Sequence, residues 1–194
     1  MNLKTIFINT LLALAVVGNS SAFASDPQST NAIKTSGPLM TIAQLEVPRY
    51  MGTWFEIAKY PNWFQKKCVS DTRASYSLQA DGKVSVLNRC VIKDGEVSEA
   101  MGEARQIGGA TSPRLEVRFA PAWLSFIPLV WGNYWVIDLD PDYQLVAVSE
   151  PKREYLWVLS RTPEVNAKAY DALLARLEKK GFDIGKLERT RQGK

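Results

Sequence analysis

Between Thr53 and Arg161 apolar residues come in short runs, several alternating with polar ones and each bounded by turn-forming residues. Side chains of a strand point to opposite faces in turn, so such runs predict half-buried β-strands. Eight are read: TWFEIAKY (53–60), DTRASYSLQ (71–79), KVSVLNRCVI (83–92), VSEAMGEARQI (97–107), RLEVRFA (114–120), NYWVIDLD (133–140), YQLVAVSE (143–150) and EYLWVLSR (154–161). Each is rich in β-branched and aromatic residues. Asp81-Gly82 and Asp94-Gly95 are tight-turn pairs, and Gly108–Pro113, Asp140–Asp142 and Glu150–Arg153 separate later runs. Links this short require antiparallel neighbours. The fold class predicted is all-β: an eight-stranded antiparallel up-and-down barrel, which leaves no free edge, with a two-sheet sandwich as the competitor. Such a barrel has room for its own side chains or one small ligand.

After the last strand the apolar spacing becomes helical. Val165, Tyr170, Leu173, Leu174 and Leu177 form one stripe. Thr162 can cap the helix N-terminus, Pro163 suits its first position, Glu164 favours its positive end, and Gly181 can end it after Lys179 and Lys180. One C-terminal α-helix packed on the outside of the barrel is expected. Residues 25–40 read as a polar leader, and the Lys186–Lys194 run as solvated, with 189–194 a basic tail. Lys4, the short apolar run Ile6–Val17 and Ala22-Phe23-Ala24 give residues 1–24 the form of a secretory signal cleaved after Ala24, with a retained anchor as the alternative. The very apolar stretch Ala122–Ile137 is broken by Pro128 and Gly132, so it is not expected to span a membrane.

Composition narrows the chemistry. The 194 residues carry a net charge of +4 with Lys and Arg scattered, which does not suit a nucleic-acid partner. There is no histidine, which removes Ser-His-Asp and Cys-His catalysis and histidine metal sites. No HExxH, GxxxxGK[ST] or GxGxxG motif occurs. The protein is expected not to be an enzyme and to need neither metal nor cofactor. The two cysteines, Cys68 and Cys90, fit one disulfide in an exported protein, two buried thiols being the alternative.

Three segments carry a family resemblance. They are Tyr50-Met51-Gly52-Thr53-Trp54; Tyr134 to Asp140 with Tyr143; and Leu156-Trp157-Val158-Leu159-Ser160-Arg161-Thr162-Pro163. Over about residues 41–188 the chain resembles the lipocalins, in particular the bacterial outer-membrane type related to apolipoprotein D and the plant temperature-induced lipocalins. The resemblance implies that Trp54 sits at the closed end of the barrel with Arg161 stacked across its ring, both in structural roles. It also places the protein near the outer membrane. The bacterial type carries a lipidated cysteine after its signal and this sequence has none there. An exported protein, periplasmic or peripheral to the outer membrane and not lipid-anchored at that site, is therefore expected.

If Trp54 marks the closed end, parity puts the first, third and fifth links at the mouth. Cys68 and Cys90 then both lie at the open end, compatible with a bridge. Trp63, Phe64, Trp123, Phe126, Ile127 and Trp131 fall in mouth loops, with Lys66 and Lys67 beside them. They read as a lid, as a contact with membrane lipid, or as ordinary packing. By alternation and the family's pattern the inward, ligand-binding set includes Glu56, Ala58, Tyr76, Val86, Asn88 and Val117. It continues with Phe119, Tyr134, Val136, Ser149, Tyr155 and Trp157, and the same phase turns Asp138 and Ala147 inward. Glu56 and Asp138 would be costly inside unless hydrogen-bonded or protonated; a satisfied structural carboxylate is the plain alternative for Glu56.

An apolar, aromatic lining with few polar points suits a hydrophobic ligand. The function expected is a carrier or store of a fatty acid or lysophospholipid at the bacterial envelope, as a monomer or weak homodimer. A peripheral contact with outer-membrane lipid is a second expected partner. The rivals are a protein-interaction module using the mouth loops, and an enzyme on the same frame, for which two free thiols would speak.

Overall fold

The computed structural model describes residues 37–193. The signal expected over 1–24 and most of the leader lie outside the described residues. The eight expected strands are present: β1 Gly52–Lys59, β2 Cys68–Leu78, β3 Val84–Ile92, β4 Val97–Gln106, β5 Arg114–Arg118, β6 Gly132–Leu139, β7 Leu145–Ser149 and β8 Leu156–Ser160. Each pairs antiparallel with the next, and β1 pairs with both β8 and β2, which closes the barrel. Ala122–Ile137 divides into two short 3-10 turns, Ala122–Leu124 and Pro128–Val130, followed by β6. No helix among the described residues is long and apolar enough to cross a membrane.

The strands build two cores, one on each face of the wall. Inside, Trp54, Val86, Val136, Val146, Val148 and Leu159 pack with Tyr50 and Tyr76. Outside, Ile57, Ile137, Leu145, Leu156 and Val158 pack against Leu173 and Leu177 of α2, Ala167–Lys179. Covering both faces explains why β7, Leu-Val-Ala-Val-Ser, is buried throughout rather than alternating. Helix α2 begins later than the sequence suggests. Asn166, not Thr162, caps it, its Oδ1 accepting from Ala169 N at 3.1 Å. Thr162 instead donates to Glu164 O at 2.6 Å in the preceding turn, a local bond that competes with helix formation. Gly181 ends the helix as expected, at φ +86°, with Phe182 N donating to Leu177 O at 3.1 Å.

Besides irregularities at the start of β2, two β-bulges reset the face of residues expected to point inward. The β1–β8 register shifts between Glu56 and Ala58, and the β6–β7 register between Val136 and Asp138. One extra residue inverts the alternation beyond it. Ala58 therefore belongs to the outer core with Ile57 rather than to the interior. Asp138 also turns outward, where Arg176 of α2 holds it by two 2.8 Å bonds. Across the β6–β7 ladder Ala147 faces Asp138 and Ser149 faces Trp135, so both share that outward face. The inward assignments of Ala58, Asp138, Ala147 and Ser149 are thus corrected.

The closed end is covered by the segment before β1. Ile42 N donates to Val136 O at 3.1 Å and Leu45 N to Thr111 O at 2.8 Å, leading into the short helix α1, Val47–Tyr50. At the other end Cys68 and Cys90 form the disulfide, with Cα atoms 5.5 Å apart, tying β2 to β3 beside the mouth. The C-terminal run is not a solvated tail. Glu188–Arg189 form β9 on β1, then Thr190 N donates to Ile57 O (3.0 Å) and Asp71 N to Arg191 O (2.8 Å). The β1–β2 ladder spans only Gly52–Phe55 of β1, and beyond it residues 188–193 fill the gap between the two strands.

Candidate functional site

The closed end is a rigid plug. Trp54 is fully buried and its indole N–H donates to Tyr50 O at 2.8 Å. The Arg161 guanidinium lies 3.9 Å from the centre of the Trp54 ring. Its N–H groups donate to Arg49 O (2.8 Å), Thr53 O (3.1 Å) and Tyr143 O (3.2 Å). One side chain thus joins α1, β1 and the β6–β7 link by charge-assisted bonds. The structural roles expected for Trp54 and Arg161 are the ones they fill.

Just above this plug three tyrosine hydroxyls meet. Tyr134 Oη lies 2.8 Å from Tyr50 Oη and 3.1 Å from Tyr76 Oη. The Tyr50 ring stacks on Tyr76 at 5.8 Å and leans on Trp54 at 4.9 Å. Burial pushes the Tyr76 phenol up to about 12 and those of Tyr50 and Tyr134 well above their ordinary value. All three are therefore neutral hydroxyls across the physiological range. Val86, Val117 and Val136 line the wall around them, and Asn88 follows Val86 on the same inward phase. Phe119 lies against Gly102, where a Cβ would come within 2.8 Å of the ring, so only glycine lets the ring lie flat there. Ala74, Val117, Tyr134 and Trp157 face inward yet are only half-buried, so the interior is open to solvent from the mouth.

Higher up, Glu56 is 2% exposed. Its carboxylate accepts from Gln65 Nε2 at 2.7 Å and from Thr190 Oγ1 at 2.5 Å. Burial raises its pKa, while the bonds from Thr190 and Gln65 and the charge of Lys59 pull it back down. Gln65 Oε1 accepts from Trp157 Nε1 at 3.0 Å and from Asn62 Nδ2 at 2.6 Å. The first mouth loop, the β8 wall and the C-terminal strand are thereby joined through one buried carboxylate. At the rim Tyr155 stacks on Trp157 at 5.8 Å, and Phe64 covers both, at 5.7 and 6.2 Å.

The other rim aromatics point away from the protein. Trp63, Trp123 and Phe126 are each more than 70% exposed, and Leu129 is 96% exposed. Ile127 is half-buried. Trp131 is not a loop tip: Arg105 and Arg118 lie 4.1 and 5.2 Å from its ring centre, and its indole N–H donates to Ser125 O at 2.8 Å. It clamps the 121–131 loop to the β4–β5 wall.

A model of the lipocalin-like domain matches residues 45–192 of this sequence. The chain is a lipocalin. It is 42% identical over 150 residues to temperature-induced lipocalin-1 of Arabidopsis thaliana, covering 76% of this chain and 80% of that protein. With the outer membrane lipoprotein Blc of Escherichia coli (strain K12) it shares 36% over 146 residues, covering 75% and 78%. Among solved structures, insecticyanin of the tobacco hornworm Manduca sexta aligns with a TM-score of 0.61 at 18% identity, over 80% of this chain and 85% of that one, which shows the fold. Lipocalins bind small hydrophobic ligands, and that general property comes with membership.

In this lipocalin the structure brings Glu56, Tyr76, Val86, Asn88, Val117, Phe119, Tyr134, Val136, Tyr155 and Trp157 to the inner face or rim of the barrel. Ala58 and Ser149 lie elsewhere; the Ser149 hydroxyl donates to Tyr155 O at 2.5 Å, inside the β7–β8 turn. Four polar partners escaped the sequence reading: Asn62, Gln65, Thr190 and Gln192. Asn62-x-x-Gln65 carries a local signal, since Asn62 Oδ1 caps Gln65 N at 2.9 Å. Thr190 and Gln192 carry none, because their partners Glu56 and Thr72 are more than a hundred residues away. A separate cleft of about 630 Å³ lies outside the barrel between α2 and the closed-end links, with the Asp138–Arg176 pair in its wall.

Proposed function

We propose that this lipocalin carries or stores a single-chain amphipathic lipid, a fatty acid or lysophospholipid, at the cell envelope. The observation that carries the reading is the half-buried inner wall of Val117, Tyr134 and Trp157, apolar surface inside a closed barrel and open at one end. An apolar wall open to water in this way gains by taking up an acyl chain, about 25 cal/mol for each Å² removed from water. The protein acts as a binder rather than a catalyst. Both of its cysteines are bound in the disulfide, which withdraws the thiol nucleophile that would favour an enzyme. Titrating delipidated protein with long-chain fatty acid should quench its tryptophan fluorescence saturably, Trp157 being in the wall. If no fatty acid or lysophospholipid saturates, the reading is wrong.

The exposed rim supports a second element, contact with the surface of an anionic membrane. Trp63 is exposed in the same loop as the exposed Lys66 and Lys67, and Trp123, Phe126 and Leu129 are exposed on the 121–131 loop. Interfacial tryptophans next to lysines suit a headgroup region. The relative Blc is named an outer membrane lipoprotein, which implies a lipid anchor. For this chain we assign membrane contact to the exposed rim. Replacing Trp123, Phe126 and Ile127 with Ser should lower binding to vesicles of mixed anionic lipid about tenfold and leave fatty-acid affinity unchanged. The converse outcome would make the loop a lid.

A further inference from the structure

The tyrosine cluster at the floor of the barrel holds one proton more than its own bonds consume. Three phenols carry three O–H protons. The chain Tyr50–Tyr134–Tyr76 contains two hydrogen bonds, 2.8 and 3.1 Å long. Among the described residues no other group accepts from any of these hydroxyls. Whichever way the chain is oriented, one O–H is left without an acceptor, and free lone pairs remain beside it. Tyr50 and Tyr76 are more than nine-tenths buried. Tyr134 is half-buried, so the spare O–H and the free lone pairs are offered to the interior that opens at the mouth.

We propose that this floor is a hydrogen-bonding subsite for a neutral oxygen, a hydroxyl or ketone, at the buried end of the bound lipid. The inference rests on the reading that the barrel holds a hydrophobic ligand, and it adds which end goes in and what that end carries. The oxygen is neutral for two reasons. The burial that raises all three phenols would disfavour a carboxylate or phosphate in the same place. The nearest cation, Arg161, is stacked on the Trp54 ring and holds three backbone carbonyls of the plug, so its charge is engaged at the closed end rather than offered to the cavity. The charged end of a two-headed lipid then stays at the mouth, where Lys66 and Lys67 are exposed. Trp54 does not compete for the subsite, its N–H being taken by Tyr50 O.

The test compares hexadecanoic acid with 16-hydroxyhexadecanoic acid on delipidated wild type, Tyr134→Phe and Tyr76→Phe, with thermal melts to show that each variant is folded. An apolar floor would bind the hydroxylated acid at least tenfold more weakly than its parent, because the hydroxyl would be buried unpaired. The floor inferred here binds it as tightly or more tightly. Tyr134→Phe breaks the chain at its centre and should weaken the hydroxylated acid about tenfold more than it weakens the parent. Tyr76→Phe, which removes one end of the chain, should act in the same direction. A tenfold penalty for the hydroxylated acid on wild type, or equal losses for both ligands in the variants, overturns the subsite and leaves the carrier reading intact. Failure of both acids and of a lysophospholipid to bind wild type overturns the two together.

Discussion

Trp54→Ala should lower the stability of this lipocalin by about 4 kcal/mol, the range for emptying a fully buried aromatic site. The ring is completely buried, contacts Tyr50 at 4.9 Å, and has Arg161 at 3.9 Å. Nothing at the closed end can move in to fill it, because α1 and β1 are both tied down by Arg161. Arg161→Ala acts on the same unit and should remove about 2 kcal/mol, since the guanidinium is partly open to solvent and its three bonds are discounted accordingly. Arg161→Lys keeps the charge but not the fork, and should recover less than half of that loss. The double variant should cost less than the two singles added together, by about 1 kcal/mol, because each single already destroys the shared contact. Urea denaturation of the four proteins measures all of this. Strict additivity would mean that the stacked pair is a bystander to the closure.

Much of this architecture is legible in the residue pattern, and the misplaced strand residues share one physical origin. Strand number, order and closure follow from short polar links and from apolar runs that need two covered faces. Trp54, Arg161, the disulfide and Gly181 stand where the sequence places them. What fails is phase. A bulge at Glu56/Ala58 and another at Val136/Asp138 each add one residue to one strand, and nothing in Glu-Ile-Ala or Val-Ile-Asp announces it. Both bulges serve the outer core: they turn Ile57 with Ala58, and Ile137 with Asp138, toward α2 together, so the wall presents more apolar surface and a partner for Arg176 to the helix. Ser149 and Ala147 on the neighbouring strand share the outward face because a ladder passes its phase across. The tyrosine floor was legible only in part. Tyr76 and Tyr134 fall inward by alternation, whereas Tyr50 enters from a four-residue helix outside any strand pattern. The basic C-terminal run misleads for a different reason: its stabilising contacts are backbone groups and a buried acid, which leave no mark on charge or hydropathy.

That C-terminal segment makes the final prediction. Thr190→Val keeps the shape of the side chain and removes the one hydroxyl donor to Glu56. At pH 7 it should cost about 2 kcal/mol, the scale for a bond to a buried charged group. The cost should shrink to under about 1 kcal/mol near pH 4. The sign follows from burial. The folded-state pKa of Glu56 is raised above its unfolded value, chiefly by desolvation, so its contribution is fully present below the ordinary carboxylate range and is lost as pH rises through the folded value. Thr190 donates to the charged form and holds that rise in check. Without it the pKa climbs further, and the gap between variant and wild type opens over the interval between the two folded values, reaching its limit above the higher one. Glu56→Gln separates this from a loss of packing. The amide oxygen can still accept from Gln65 while its NH₂ donates to the Thr190 oxygen, so the variant stays bonded and carries no charge. In that background the pH dependence of the Thr190→Val cost should vanish. A cost that stays constant from pH 4 to pH 7 with Glu56 present would instead mean that residues 188–193 hold β1 and β2 by their backbone bonds alone, and that the buried carboxylate answers only to Gln65.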